Sequence, residues 1–243
     1  MPVPRLLAID AATDTVHLGL LCGSGVYTRS LPGGAQASAQ LLPTIRSLLH
    51  EAGLTPPQLQ AVAFGRGPGA FTGLRTACSV AQGLAVGIGC PVLAIDTLAA
   101  VAQSAARRAL QELPGPRVCS ATDARMGEVY AACWERDAQG SWNVLEPPTL
   151  LKPWALRSLF DRHGGLAAGN AWLLPAVREN GPTGTACDPE AAPDGEALAT
   201  LALSEWEAAR TLDPALALPL YVRDKVAQTS AEREAARAAA TPA

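Results

Sequence analysis

Lysine is nearly missing from this chain: of 243 residues only Lys152 and Lys225 are lysines, and arginine carries almost all the positive charge. Acids outnumber bases, 22 to 19, for a net charge of -3. That balance gives no electrostatic footprint for gripping a nucleic acid unaided. In a chain also rich in Ala, Gly and Pro, the arginine bias reads first as base composition. Histidine is equally sparse. His17, His50 and His163 stand far apart, with no His-x-x-x-His spacing, which removes the simplest helical metal site. The six cysteines, Cys22, Cys78, Cys90, Cys119, Cys133 and Cys187, include no C-x-x-C pair. This argues against a zinc site or a thioredoxin-type dithiol; in apolar runs cysteine behaves as a small buried hydrophobe. No G-x-S-x-G elbow surrounds a serine, so no nucleophile announces itself. The opening "LLAI" meets Asp10 at once, so a signal peptide is not expected. Twenty uncharged residues lie between Arg75 and Asp96, long enough for a membrane span. Gln82 and Gly83 interrupt their middle, and Gly87, Gly89 and Pro91 break their end, so a buried helix, a turn and the strand "PVLAI" are expected instead. The expectation is a cytoplasmic protein with no membrane contact.

What is present is apolar: 49% hydrophobic against 17% charged residues, ample for a core in one or two compact units. The chain also repeats itself. "RLLAIDAATDTVHLGLLCGSG" reads as strand, turn, strand, with the first strand ending in Asp10. "RVCSATDARMGEVYAACWERDAQG", beginning 112 positions later, has the same form and ends its first strand in Asp123. This is the mark of an internal duplication, two similar subdomains each opening on a hairpin. The rest of the first half fits a three-layer α/β unit. "SAQLLPTIRSLLHEAGL" sets Leu41, Leu42, Ile45, Leu48 and Leu49 at helical spacing, with Ser38 as N-cap and Pro43 near the first turn. "LQAVAF" is a buried strand. A helix starts at about Thr97. In the second half, "PWALRSLF" and "GEALATLALSEWEAAR" read as helices and "GLAAGNAW" as a strand or turn.

The segment "GRGPGAFTGLR", Gly65 to Arg75, follows a strand and leads into a helix. A Rossmann loop needs a third glycine where Ala70 stands, and a Walker loop needs a lysine that is absent. The stronger reading is a sharp turn at Gly67, Pro68 and Gly69, with Thr72 capping a helix whose inward residues are Leu74, Ala77, Cys78, Ala81, Leu84, Ala85 and Ile88. Small residues on that helix admit close approach, by its own sheet or by a partner helix. An anion at its N-terminus is the secondary reading.

These residues resemble the G-x-G-P-G-S-F-T-G-L-R motif of the TsaB (YeaZ) family, with Ala70 in the place of serine. "AIDAAT", "DARMGEVYAA" and "LPLYVRDKVA" agree in order, so the resemblance runs from Leu7 to Ala227. It implies an actin-like/hexokinase-like (ASKHA) fold of two duplicated ribonuclease-H-like subdomains, placed at 1–112 and 113–226, with a flexible tail at 227–243. It also implies the bacterial machinery that forms threonylcarbamoyladenosine in tRNA, beside the anticodon. There a paralogue, TsaD, carries the metal and the transfer chemistry, TsaE is an ATPase, and this family is the non-catalytic activator. The helices near Ser38–Glu51 and Thr72–Ile88 would form a homodimer and bind TsaD through the same face. Leu41, Leu42, Ile45, Leu74, Ala77, Cys78 and Ala81 are the expected interface residues, although from the residues alone the same stripe is equally a core face.

No catalytic residue, metal ligand or bound cofactor is expected on this chain alone. ATP and a metal belong to the assembled complex, and tRNA is met only through it. Asp10, Thr13, Asp123 and Arg125 mark either a vestigial nucleotide site or simply two turns. In nucleotide-using relatives of the superfold such aspartates hold magnesium, yet "DAAT" lacks a glycine and "DARMG" places a bulky Arg125 where phosphate would pass. Side-chain capping of the turns is the favoured reading. Arg75, Arg125 and Arg223 read as solvated charges, or as interface or turn-bracing ion pairs. The alternative function is an enzyme in its own right, a small kinase or a metal-dependent glycoprotease-like peptidase.

Overall fold

The computed structural model describes residues 3–23, 25–34, 37–109, 115–179 and 186–223. The first half opens on three antiparallel strands, β1 (Leu6–Asp10), β2 (Thr15–Cys22) and β3 (Gly25–Pro32). Helix α1 (Ala37–Glu51) returns the chain to β4 (Ala61–Gly67), parallel to β1. Helix α2 (Phe71–Ile88) then leads to β5 (Val92–Asp96), parallel to β4. Helix α3 (Thr97–Arg108) connects to the second half: β6 (Arg117–Arg125), β7 (Glu128–Arg136), β8 (Trp142–Leu151), α4 (Pro153–His163), β9 (Leu166–Ala168), α5 (Pro175–Arg178), β10 (Cys187–Asp188) and α6 (Gly195–Glu207). The strand orders are β3-β2-β1-β4-β5 and β8-β7-β6-β9-β10. Strand for strand the second sheet repeats the first.

Each central strand is buried on both faces, and alternate residues serve different layers. Leu7 and Ile9 face α1 and α2 in an outer core with Leu41, Ile45 and Ala77. Leu6 and Ala8 face inward, into a core shared by both sheets with Leu98, Val101, Val118, Trp134 and Leu198. A third core lies under α4 and α5. The inner layer is built from exchanged helices. Helix α6 packs on β1, β2, β3 and β5 of the first sheet, while α3 packs on β6 and β7 of the second and lies against α6. Asp194 fixes the crossing: its carboxylate accepts from Ala197 N at 2.8 Å, as an N-cap, and from Ser104 Oγ and Arg107 Nη2 of α3, both at 2.7 Å.

Several local expectations shift. Helix α2 begins at Phe71 with Ala70 as N-cap and no side-chain cap, so Thr72 lies inside its first turn. Ser38 is likewise already helical and Pro43 sits within α1. Strands β3, β8 and β10 were not expected. Every residue of β3 is half-buried or exposed, and β8 carries Pro147 and Pro148 next to register shifts in its pairing with β7, so neither shows clean alternation. Cys119 and Cys133 stand opposite each other in β6 and β7 and are joined as a buried disulfide. The boundary at 112/113 and the tail 227–243 lie outside the described residues.

Where α6 meets β2, a Cβ on Gly195 would lie 2.2 Å from Leu18 O, and one on Gly19 would lie 2.0 Å from Gly195 O. Gly195→Ala should therefore destabilise the fold by about 3 kcal/mol through forced backbone separation. Gly83→Ala, on the open side of α2 where a Cβ meets nothing within 4 Å, should instead stabilise by about 0.5–1 kcal/mol. Denaturant midpoints of the two variants against the parent chain check both signs.

Candidate functional site

The β1–β2 and β6–β7 turns face each other across a cleft of about 530 Å³ that also takes in the Gly-rich loop, the start of α2 and residues 220–223. In duplicated folds a cleft between the halves is where a ligand would be sought. Its chemistry depends on where the two aspartates point.

Asp10 ends β1 and is fully buried. Its Oδ1 accepts from Ala12 N at 2.8 Å and its Oδ2 from Thr97 Oγ1 at 2.7 Å. A Cβ on Gly65 would sit 1.9 Å from that Oδ2, so β4 passes directly against the carboxylate. Asp10 is not among the residues lining the cleft. Burial pushes its pKa up from the ordinary carboxyl value, against the opposing pull of the Thr97 and Ala12 hydrogen bonds and of His17. Asp123 repeats the turn geometry in the second half: its Oδ1 accepts from Arg125 N at 2.7 Å. Unlike Asp10 it lines the cleft, and its own backbone N–H donates to Asn170 Oδ1 at 2.9 Å. Thr13 also lines the cleft, with its hydroxyl bonded to Thr15 O at 2.9 Å.

Arg125, Met126 and Gly127 all take positive φ, 62°, 56° and 67°, so the second turn is tight and left-handed. Arg125 reaches over the cleft to Asp14, Nη2 to Oδ2 2.9 Å. Arg223 braces the same turn, donating to Ala124 O at 3.1 Å and to Glu128 Oε2 at 2.8 Å. Lys152 meets Glu128 from the other side at 3.0 Å, and the hydrogen bonds from Lys152 and Arg223 hold the Glu128 carboxyl below its usual range against the opposing effect of burial. Among the described residues no three His, Cys, Asp or Glu side chains gather as a metal-ligand set. With Asp10 walled in, the residues present do not fit a magnesium-nucleotide held by both aspartates.

The Gly-rich loop is shaped by its neighbours. Gly67 has φ 105°. A Cβ on Gly69 would lie 2.4 Å from Ala12 O, and one on Gly73 would lie 1.8 Å from Ala11 O. The loop and the first turn of α2 thus press against the β1–β2 turn.

The helix faces require a correction. Leu41, Ile45, Leu74, Ala77, Cys78 and Ala81 are buried against the first sheet in the chain's own core, so they are not available to a partner. Of the seven expected interface residues only Leu42, 46% exposed, faces outward. The apolar stripe reported burial, and the sheet already supplies it. Beyond its first turns, where Phe71, Thr72 and Arg75 are exposed, the outward residues of α2 are Ser79, Gly83, Val86 and Gly87, and a Cβ on Gly83 or Gly87 meets no atom within 4 Å. Glycine in mid-helix without an internal reason is the signal that points to this outer face.

Two five-stranded sheets of one strand order, facing a common cleft with their first hairpin turns, define an actin-like/hexokinase-like fold of two ribonuclease-H-like subdomains. No helix among the described residues is long and apolar enough to cross a membrane. A family model described as TsaD, tRNA N6-adenosine threonylcarbamoyltransferase, matches residues 33–140. The tRNA threonylcarbamoyladenosine biosynthesis protein TsaB of Escherichia coli is 31% identical over 226 residues, covering 92% of this chain and 96% of that protein. The protein of the same name from Haemophilus influenzae is 31% identical over 230 residues, with 91% and 94% covered. The solved structure of YeaZ from Pseudomonas aeruginosa superposes with a TM-score of 0.80 at 36% identity, covering 90% of this chain and 99% of that one. The chain belongs to the TsaB (YeaZ) family.

Asp10→Asn tests the reading of the buried carboxylate. The amide keeps an acceptor for Ala12 N and offers a donor to Thr97 Oγ1. Because the folded-state pKa of Asp10 is raised, the parent chain should lose stability as pH rises above the ordinary carboxyl range, where the folded state retains the proton longer than the unfolded one. The asparagine variant lacks this loss. It should be at least as stable as the parent at pH 7, with the gap closing at acid pH. Melting temperatures across pH 3 to 8 read the sign.

Proposed function

We propose that this chain is a non-catalytic subunit in the formation of threonylcarbamoyladenosine in tRNA, next to the anticodon, where it activates a TsaD-type transferase. The TsaB relatives supply the process. The observation that carries the non-catalytic role is the enclosure of Asp10, whose two oxygens serve Ala12 and Thr97 behind Gly65 and not the cleft. In this reading ATP and a metal belong to the assembled complex, with TsaE as its ATPase, and this chain contributes no cofactor. tRNA, in the cytoplasm, is bound through the complex, in keeping with the chain's net charge of -3.

The partner face in this reading is the outer side of α1 and α2, around Leu42, Ser79, Gly83, Val86 and Gly87. Val86 is 70% exposed, and the flanking glycines let a second helix approach closely. The same face supports a homodimer when the transferase is absent. Activation then means holding the partner in its competent geometry, a shift of population and not a bond-making step.

The test is tRNA modification by the purified TsaD- and TsaE-family proteins of the same organism, with and without this chain. Product should require the chain. A Gly83→Arg, Val86→Arg double variant, altering only exposed positions, should stay folded and lose about tenfold or more of the stimulation, while Asp10→Asn should stimulate like the parent. Equal product without the chain would sink the activator role. Loss of all stimulation in Asp10→Asn, with folding intact, would instead point to chemistry at that carboxylate.

A further inference from the structure

The segment that follows α6 returns alongside α2 and is fixed there by its backbone. Gln82 Nε2 donates to Pro214 O at 2.8 Å and to Ala217 O at 3.2 Å, the Cys78 thiol meets Ala217 O at 3.4 Å, and Leu220 N donates to Arg66 O at 2.7 Å. Ala217 is buried in this seam. The large side chains on either side of it are left outside: Leu216 is 67% exposed and Leu218 73%. Three residues on, Tyr221 meets Phe71 with ring centroids 5.5 Å apart. Arg75 lies 3.8 Å over the Phe71 ring and donates from Nε to the Tyr221 hydroxyl at 3.0 Å. Phe71 and Tyr221 are both exposed. The result is an apolar ridge with one guanidinium set among aromatic rings.

Ordered apolar and aromatic side chains around an arginine are the composition of protein-binding hot spots. The seam has already fixed the backbone, so docking here orders little that was free. What would cover the ridge follows from charge. Among the described residues Arg75 has no carboxylate partner. Neither α2 nor residues 214–223 contains a single Asp or Glu; Asp213, just before the segment, caps its own turn at Ala215 N, and Asp14 across the cleft is paired with Arg125. Two copies of this face apposed about a twofold axis would therefore bring arginine and apolar groups together with no acid to pair either guanidinium. Arginine and aromatic rings also stack nucleobases. Here, however, the other arginines near the cleft are spent on internal partners, Arg125 on Asp14 and Arg223 on Glu128, which leaves one cation for a polyanion.

We infer that Phe71, Arg75, Leu216, Leu218 and Tyr221 form a docking surface for a different polypeptide, one presenting a carboxylate flanked by apolar side chains, and that this surface does not serve self-association. The inference rests on the subunit role proposed above and adds the chemistry that separates the hetero-complex from the homodimer: the outer face of α2 admits either partner, and the ridge admits only one that brings an acid.

The experiment uses the full chain with Leu218→Glu and, separately, Arg75→Glu. The Leu218 side chain is exposed, so its variant leaves the fold alone and places on this surface an acid that repels the partner's carboxylate. The probe is the TsaD-family protein of the same organism, with binding read by calorimetry, self-association by sedimentation, and tRNA binding to the isolated chain by filter retention. Each variant should bind the probe about tenfold or more weakly, with self-association and melting temperature unchanged. Variants that bind like the parent overturn the docking surface while leaving the subunit role standing. Equal loss of self-association shows a face shared with a second copy and overturns its selectivity. tRNA binding by the isolated parent chain that the variants lose identifies an RNA site instead. A parent chain that does not bind the probe at all removes the subunit role, and the inference falls with it.

Discussion

At the crossing of α6 over β2 the backbones of Gly195 and Leu18–Gly19 approach too closely for either glycine to carry a Cβ. That contact sets the depth at which α6 sits on the first sheet, and so the spacing of the layer it shares with α3. Asp194 then ties the start of α6 to Ser104 and Arg107. Because α3 covers the second sheet and α6 the first, neither half is complete alone. The sequence duplication thus yields two sheets and one shared interior. A single substitution at this crossing acts on both halves, whereas the same change on the outer side of α2 alters only the propensity of that helix.

The shared interior also governs the cleft. The ion pair between Arg125 and Asp14 spans it, but both side chains are largely exposed, and an exposed pair contributes at most about 1 kcal/mol. Leu98, Val101 and Leu198 are fully buried between the sheets, and each such side chain contributes roughly 1.5–3 kcal/mol by leaving water. Packing, and not the ion pair, therefore fixes the separation of the two turns. Arg223 does for the second turn what Gly65 and Thr97 do for the first: it commits polar groups to the fold that a ligand would otherwise meet. The two aspartates keep the same bond to the backbone two residues on, yet one is enclosed and the other, half-buried, lines the cleft beside Arg125. The duplication has preserved the turn and not its surroundings.

Much of this was legible in the sequence because it is local. The first strand ending at Asp10, the two hairpins, the helices at Pro153 and Gly195, and the turn at Gly67 follow from patterns a few residues long, whereas β6 runs past Asp123 to Arg125. The misread helix faces have one cause. Periodicity at Leu41, Ile45, Ala77 and Ala81 reports that a face is covered but not by what, and a sheet five strands wide covers it before any partner can. Strand β3 lies at the edge of the first sheet and β8 carries two prolines, so neither alternates. Cys119 opposite Cys133, and Tyr221 against Phe71, depend on long-range register that no short spacing encodes. The outer face of α2 did leave a trace: Gly83 and Gly87 weaken a helix that has no internal use for them.

The segment "GRGPGAFTGLR" collects these threads on one helix start. Gly65 makes room for the Asp10 carboxylate, Gly69 for Ala12 and Gly73 for Ala11, while Gly67 supplies a backbone angle that other residues reach only at a cost. Gly69 and Gly73 thus register how closely the loop and α2 press on the β1–β2 turn, and Gly65 how closely β4 passes the Asp10 carboxylate. A phosphate cradle would leave its amides facing open space. Here one of those amides, Ala70 N, is already spent on the chain's own backbone, donating to Ala12 O at 2.8 Å. Pressed down at its start, α2 turns Leu74, Ala77 and Ala81 into the sheet and sends Arg75 outward to the aromatic rings. The residues that aim the helix and the residue that meets solvent belong to one motif because a helix held so tightly on one side has only the other side to offer.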